Sequence, residues 1–310
     1  MNRVGWPIAV LLVLATAPAC ASDPTPTAPT SSVRTANTAP DPDPLADGPR
    51  RPAGAGDAAR LIGAALDVIS DPASDRDAVA LAGHVEQVAV REVSAHPRWT
   101  ARVLERLPRR FRVQTRTNVA ARLAFRSMHP TSLEDLADEL PAWRIVAPAP
   151  AADLERFYRE AERRYGVDWE YLAAINLVET AFGRIRGTSV AGAQGPMQFL
   201  PSTWDIYGDG GDIDDPHDAI LAAARLLRAN GFSRDKAAAL YRYNNSAAYV
   251  RGVSLHARVV QRSPRAFLGY HAWQVYYLTA RGSVWLEEGY ASRRPVPVDD
   301  YIEQHPEALP

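Results

Sequence analysis

A mainly α-helical protein is what this sequence predicts, and three observations predict it. Apolar residues recur at helical spacing from Asp57 onward. Glycine and proline fall at the ends of those stretches. A two-residue alternation flanks a turn only near the end, at Gln274–Thr279 and Ser283–Leu286.

Composition sets the outer limits. The chain has 310 residues, enough for a sizeable core, with 46% hydrophobic and 23% charged content. A net charge of −1 argues against a general nucleic-acid binder, which carries a basic surplus. Lys236 is the only lysine, which removes most lysine nucleophiles and a phosphate-loop lysine from consideration. One cysteine, Cys20, excludes an intrachain disulfide or a cysteine metal cluster. The histidines are scattered and form no His-Glu-x-x-His, so no zinc site is expected.

Residues 1–19 read as a secretory signal: Arg3, an apolar run from Ile8 to Ala15, then small residues up to Ala19. The apolar stretch is shorter than the ~20 residues a membrane span needs. Cys20 follows directly and resembles the lipidated cysteine of a bacterial lipoprotein box, with Ala17 where leucine is usual. That implies a lipid anchor on the outer side of the membrane; plain secretion is the alternative. Residues 20–56 are rich in proline, alanine, threonine and aspartate and predict a disordered tether.

An N-terminal helical region is expected over 57–145. Leu61, Ala64, Ala65 and Val68 share one face, as do Leu81, Val85, Val88 and Ala89. Between Arg98 and Arg126 nine arginines accompany one acid, Glu105. Such a run reads first as a solvated helical face, with contact to anionic polymers or lipid headgroups as the functional alternative.

A second region, 146–290, carries the sharper signals. Leu154, Phe157, Tyr158, Ala161 and Tyr165 form one apolar stripe that Gly166 ends. Asp168 stands at an N-cap position before Trp169. The helix from Trp169 to Phe182 is apolar nearly all round, which predicts burial. Asp215-Pro216-His217-Asp218 opens another helix as cap, first-turn proline and acid, and a further helix runs from Asp235 to Tyr243. Residues 291–310 are expected to be a tail.

Chemistry points to Glu179, in the last turns of the apolar helix. A carboxyl group in apolar surroundings is costly to ionise and holds its proton near neutral pH, as a general acid must. The competing reading is a structural pair with Arg184 or Arg186. Gly195-Pro196-Met197-Gln198-Phe199 then makes a tight turn: Met197 suits a cleft wall or a core, and Gln198 offers a donor and an acceptor. Tyr243 and Asn244 end a later helix and suit orienting the acid or binding an N-acetyl group. The six aspartates from Asp205 to Asp218 do not match the calcium-loop spacing, so neither metal nor cofactor is expected.

Glu179-Thr180, then Gly195-Pro196-Met197-Gln198-Phe199, then Tyr243-Asn244 resembles the pattern of the lytic transglycosylases, most of all the membrane-bound B type in a shortened form. The resemblance covers roughly residues 150–290. It implies a lysozyme-like fold and peptidoglycan as substrate; separately, no nucleic-acid partner is expected, and the protein is expected to act as a monomer. The resemblance carries Glu179 over as acid and base, and Thr180, Met197, Gln198, Tyr243 and Asn244 as substrate-binding residues. The helix holds no second acid beyond Glu170 near its start, and the resemblance implies that a substrate hydroxyl serves as nucleophile in place of a protein carboxylate. A hydrolytic muramidase and a non-catalytic wall-binding lipoprotein are the alternatives.

Overall fold

The computed structural model describes residues 43–128 and 136–309. The signal segment, Cys20 and the first part of the expected tether lie outside the described residues. The chain is mainly helical. Four helices come first: α1 (Ala55–Ser70), α2 (Arg76–Ala95), α3 (Trp99–Arg106) and α4 (Arg109–Arg126). Two short strands follow, β1 (Glu139–Leu140) and β2 (Arg144–Ile145). Then come α5 (Ala151–Tyr165), α6 (Trp169–Thr180), β3 (Ile185–Arg186), α7 (Pro201–Tyr207), α8 (Pro216–Ala229), α9 (Lys236–Tyr243), α10 (Ala247–Arg262) and α11 (Ala266–His271). The hairpin β4 (Val275–Thr279) and β5 (Gly282–Leu286), β6 (Val296–Pro297) and α12 (Val298–Gln304) complete the chain. No described helix is long and apolar enough to cross a membrane.

The helix ends follow the local chemistry. Gly166 closes α5 in the left-handed conformation at φ 67°. Asp215 accepts from the amides of His217 and Asp218 at the start of α8, with Pro216 in the first turn. Asp235 accepts from Ala238 N at the start of α9. Asp168 departs from expectation. It stands at the N-cap of α6, but its side chain makes no capping bond and pairs with Lys236 instead.

Two helical cores meet at α4. The first gathers α1 to α4 around Leu61, Ile62, Leu66 and Val103; the second gathers α5 to α11 around Tyr158, Trp169, Leu172 and Phe267. Phe125 on α4 belongs to the second core and lies against Gly252 on α10. A Cβ there would come within 2.3 Å of the Phe125 ring, so glycine is what lets the two helices approach.

Two boundaries move. Leu45 and Pro52 are buried, and Arg50 pairs with Asp57 at 2.6 Å, so the folded part begins well before residue 57. The expected tail from 291 is folded too. β6 pairs antiparallel with β1, and Val298 and Tyr301 of α12 join Leu140, Ile145, Val284 and Leu286 in a third apolar cluster.

Candidate active site

Glu179 is the penultimate residue of α6, a helix with nine of its 12 residues buried. Its side chain is 7% exposed and lines a cleft together with Gln198, Trp143, Trp273 and Tyr276. Glu179 is the only carboxylate among the described residues lining that cleft. The Tyr249 hydroxyl donates to its Oε1 at 2.6 Å, while Oε2 is buried with no partner. Burial pushes its pKa up to about 7, and the Tyr249 bond partly offsets the rise by favouring the carboxylate. The arginine pairing does not form: Arg184 donates to His271 O and lies 3.9 Å from Glu288, and Arg186 donates to Asp214 O.

The backbone turns sharply just past Glu179. Ala181, Phe182 and Gly183 all have positive φ, at 50°, 64° and 83°. The two non-glycine residues are strained there by roughly 1–2 kcal/mol each. The turn is held by Ala181 N and Phe182 N donating to Leu177 O and Asn176 O, and by Gly183 N donating to the Thr180 hydroxyl. It leads into β3, whose pairing with β2 brings Trp143 against Gly187 at the exposed lip of the cleft.

The Gly195–Phe199 turn is tied to α6 through a single carbonyl. Asn176 Nδ2 and the Thr180 hydroxyl, one helical turn apart, both donate to Pro196 O at 2.8 and 2.6 Å. Gln194 and Phe199 exchange two backbone bonds across the neck of the turn. Gly195 has φ 72°, and a Cβ on it would lie 1.9 Å from Ile213 O. The close approach that demands glycine is therefore to the loop before α8, and not to α6.

The residues anticipated for substrate contact separate into two groups. Gln198 lines the cleft with Glu179; its φ is 52° and its Nε2 donates to Gly195 O. Thr180 and Met197 are buried, Thr180 as the staple to Pro196 and Met197 as part of the second core. Tyr243 donates to Met197 O and borders a small adjoining pocket with Gln198 and Phe199. Asn244 is buried at the end of α9, with its Nδ2 unpartnered among the described residues.

The residue that orients the acid is Tyr249, not Tyr243. Asn244 ends α9 in an extended conformation, and Ser246 opens α10 by accepting from Tyr249 N. This short turn aims the Tyr249 ring at Glu179, parallel to the Tyr243 ring at 6.4 Å. A capping serine with tyrosine three residues on was the available signal. The N-terminal helices also reach the cleft, through Arg91 of α2 and Arg122 of α4. In the arginine-rich stretch most side chains are solvated, while Arg122 and Arg126 turn inward.

Residues 156–263 match the family described as Transglycosylase SLT domain. The match runs from α5 to the end of α10 and contains Glu179, the Gly195–Phe199 turn and Tyr249. The mainly α fold accords with a lysozyme-like domain of that family. The chain is also 34% identical over 80 residues to the membrane-bound lytic murein transglycosylase F of Thiobacillus denitrificans, covering 26% of this chain and 17% of that protein. That relative is an F type, whereas the loop motifs resemble the B type; lytic transglycosylase is what the two names share. No solved structure matches the chain. Residues 156–263 are thus similar to a transglycosylase SLT domain, and lytic transglycosylase is what that family and the curated relative point to in common.

Proposed function

We propose that this protein is an extracytoplasmic peptidoglycan lytic transglycosylase that cleaves the β-1,4 bond between N-acetylmuramic acid and N-acetylglucosamine, with Glu179 as both acid and base. The observation that carries the reading is the state of Glu179: pKa about 7, one oxygen fixed by Tyr249, the other unpartnered, and no second carboxylate among the described lining residues.

In this reading protonated Glu179 gives its proton to the oxygen leaving C1 of the muramyl sugar, and the C1–O bond breaks. The substrate's own 2-acetamido group stabilises the cationic carbon. Glu179, now a carboxylate, takes the proton of the C6 hydroxyl, whose oxygen bonds to C1 and closes a 1,6-anhydro ring. The proton count is restored and no water is consumed. A hydrolase working through two protein carboxylates needs a second one across the bond. Tyr249 keeps one Glu179 oxygen occupied, so the proton transfers fall to the other.

The lipid anchor at Cys20, a position on the outer side of the membrane, and action as a monomer complete the proposal. Digestion of purified peptidoglycan followed by mass spectrometry tests the reaction. Anhydro-muropeptides, one water lighter than hydrolysed products, are expected; reducing-end products alone would make the protein a muramidase. Radiolabelled palmitate should enter the wild-type protein and not Cys20→Ala.

A further inference from the structure

Buried Arg91 and half-buried Arg122 line the same cleft as Glu179 and come from outside the SLT segment. Arg91 is 7% exposed; its Nη2 donates to Ser283 Oγ at 2.7 Å, and its guanidinium lies over the Tyr276 ring at 4.4 Å. Arg122 lies beside it, with a buried Nε that has no partner and no ion pair among the described residues. Arg126, one turn further along α4, reaches Ser94 O, and its Nε is also unpartnered. Glu92 is the carboxylate felt by Arg91 and Arg122, and it already lies 3.7 Å from Arg51 and 3.8 Å from His96.

Three guanidiniums with so little compensation are costly in a folded protein. Burial, together with mutual repulsion among Arg91, Arg122 and Arg126, pushes the Arg122 pKa well down. A buried cation without an anion is strongly destabilising, and a carboxylate reaching it forms a short charge-assisted bond. Arginine is the side chain best matched to a carboxylate, through its planar fork of donors. Arg91, Arg122 and Glu179 line one cleft, so a ligand that fills it meets both the guanidiniums and the acid.

We infer that the Arg91–Arg122 corner binds a carboxylate on the branch that the muramyl sugar carries at C3, and so selects glycan strands by the charge of that branch. The inference rests on the peptidoglycan reading above. Two groups present this chemistry: the carboxylates of an attached peptide, and the lactyl carboxylate left once the peptide is removed. On this reading the N-terminal helical region is part of the substrate site, with Arg122 a binding residue remote from the reacting bond.

Equilibrium binding to the Glu179→Gln protein keeps the strands intact and tests the inference. The probes are peptide-bearing glycan strands with free carboxylates, and the same strands with those carboxylates converted to amides. The free-acid strand should bind about tenfold tighter, the size of one charge-assisted bond. Adding Arg122→Gln should make the two strands equivalent, and Arg122→Lys should restore part of the difference. Strands stripped of peptide locate the source: tight binding assigns the lactyl carboxylate, weak binding the peptide. Equal binding of both charged and amidated strands by the Glu179→Gln protein overturns the inference, as does a difference that survives Arg122→Gln. If Arg122→Gln fails to fold, the comparison of the two strands on Glu179→Gln alone still decides. The enzymatic reading stands apart, on whether wild type releases anhydro products.

Discussion

Glu86 and Glu179 share a residue type, a helical setting, deep burial and a pKa pushed up to about 7. They differ in their surroundings. Glu86 on α2 accepts from Asn118 Nδ2 at 3.0 Å, and Asn118 accepts in turn from the Tyr270 hydroxyl, which faces His256. That chain ties α2, α4, α10 and α11 together, and Glu86 does not line the cleft. Glu179 has one oxygen held by Tyr249 and one unpartnered in a cleft. A raised pKa thus records burial in both places; a place in the cleft wall and an unpartnered oxygen separate Glu179 from the structural polar group.

The largest expected effect breaks the pair apart directly. Glu179→Gln should lower the rate of anhydro-product release by about 10²–10⁴, the range for a lost general acid. Glu86→Gln keeps an acceptor for Asn118 and should leave the rate within a few-fold. Equal losses in the two variants would mean that burial, and not the cleft, is what the chemistry uses.

Stability against pH is next in size, and here the two acids should behave alike. Each has a folded pKa near 7 against an ordinary 4.5, so the folded state holds its proton longer than the unfolded chain. Stability is then complete below about pH 4.5 and falls as pH rises to about 7, by roughly 3 kcal/mol for each acid. Buried His84 and His256, pushed down to about 4 and about 3, act in the opposite sense and cost stability as pH falls below their ordinary value of 6.5. The difference between wild type and Glu86→Gln in urea unfolding isolates one acid: the variant should gain on wild type at pH 8 relative to pH 4.5. A pH-independent difference would show that Glu86 is not the neutral acid described.

A smaller effect sharpens the Glu179 side alone. The Tyr249 hydroxyl favours the carboxylate, so Tyr249→Phe should raise the Glu179 pKa further. In the proposed reaction Glu179 must start protonated, so activity should be lost as pH rises through about 7. In Tyr249→Phe that alkaline limb should move to higher pH, while the plateau rate falls about tenfold from lost orientation. Tyr243→Phe should leave the limb in place, because its hydroxyl bonds Met197 O. Moving the limb with Tyr243→Phe and not with Tyr249→Phe would reverse the two roles.

The same contrast explains what the sequence let one read. Glu179 stood out as a lone acid in an apolar helix, and Gly166, Asp215-Pro216 and Asp235 marked helix ends because capping is a local interaction. Tyr249 escaped notice because its partner lies 70 residues away and nothing in its own helix requires that contact. Arg122 was hidden within a run of arginines that is mostly solvated, and Arg91 stood before that run on α2. Strands of two residues, such as β1 and β6, are too short to carry a period, so the fold of 291–309 could not be read from pattern. Thr180 and Met197 sit in the motif that resembles the family, yet both are buried, which locates their influence in the shape of the turn.

The smallest expected effect concerns that turn. On the Glu86 side the buried polar groups bind other helices; on the Glu179 side, Asn176 and Thr180 bind the Pro196 carbonyl of the following loop. Thr180→Val removes one of the two donors to that carbonyl and leaves Gly183 N without its acceptor. Asn176 still holds Pro196, so the loss should be about 1–2 kcal/mol in urea unfolding. Thr180→Ser keeps the hydroxyl and should recover most of it. If the staple also sets where Gln198 lies, Thr180→Val raises KM for glycan strands more than it lowers kcat, because Glu179 and Tyr249 keep their own bond. A fall in kcat with KM unchanged would instead place Thr180 with the acid, as part of what fixes Glu179 at the end of α6.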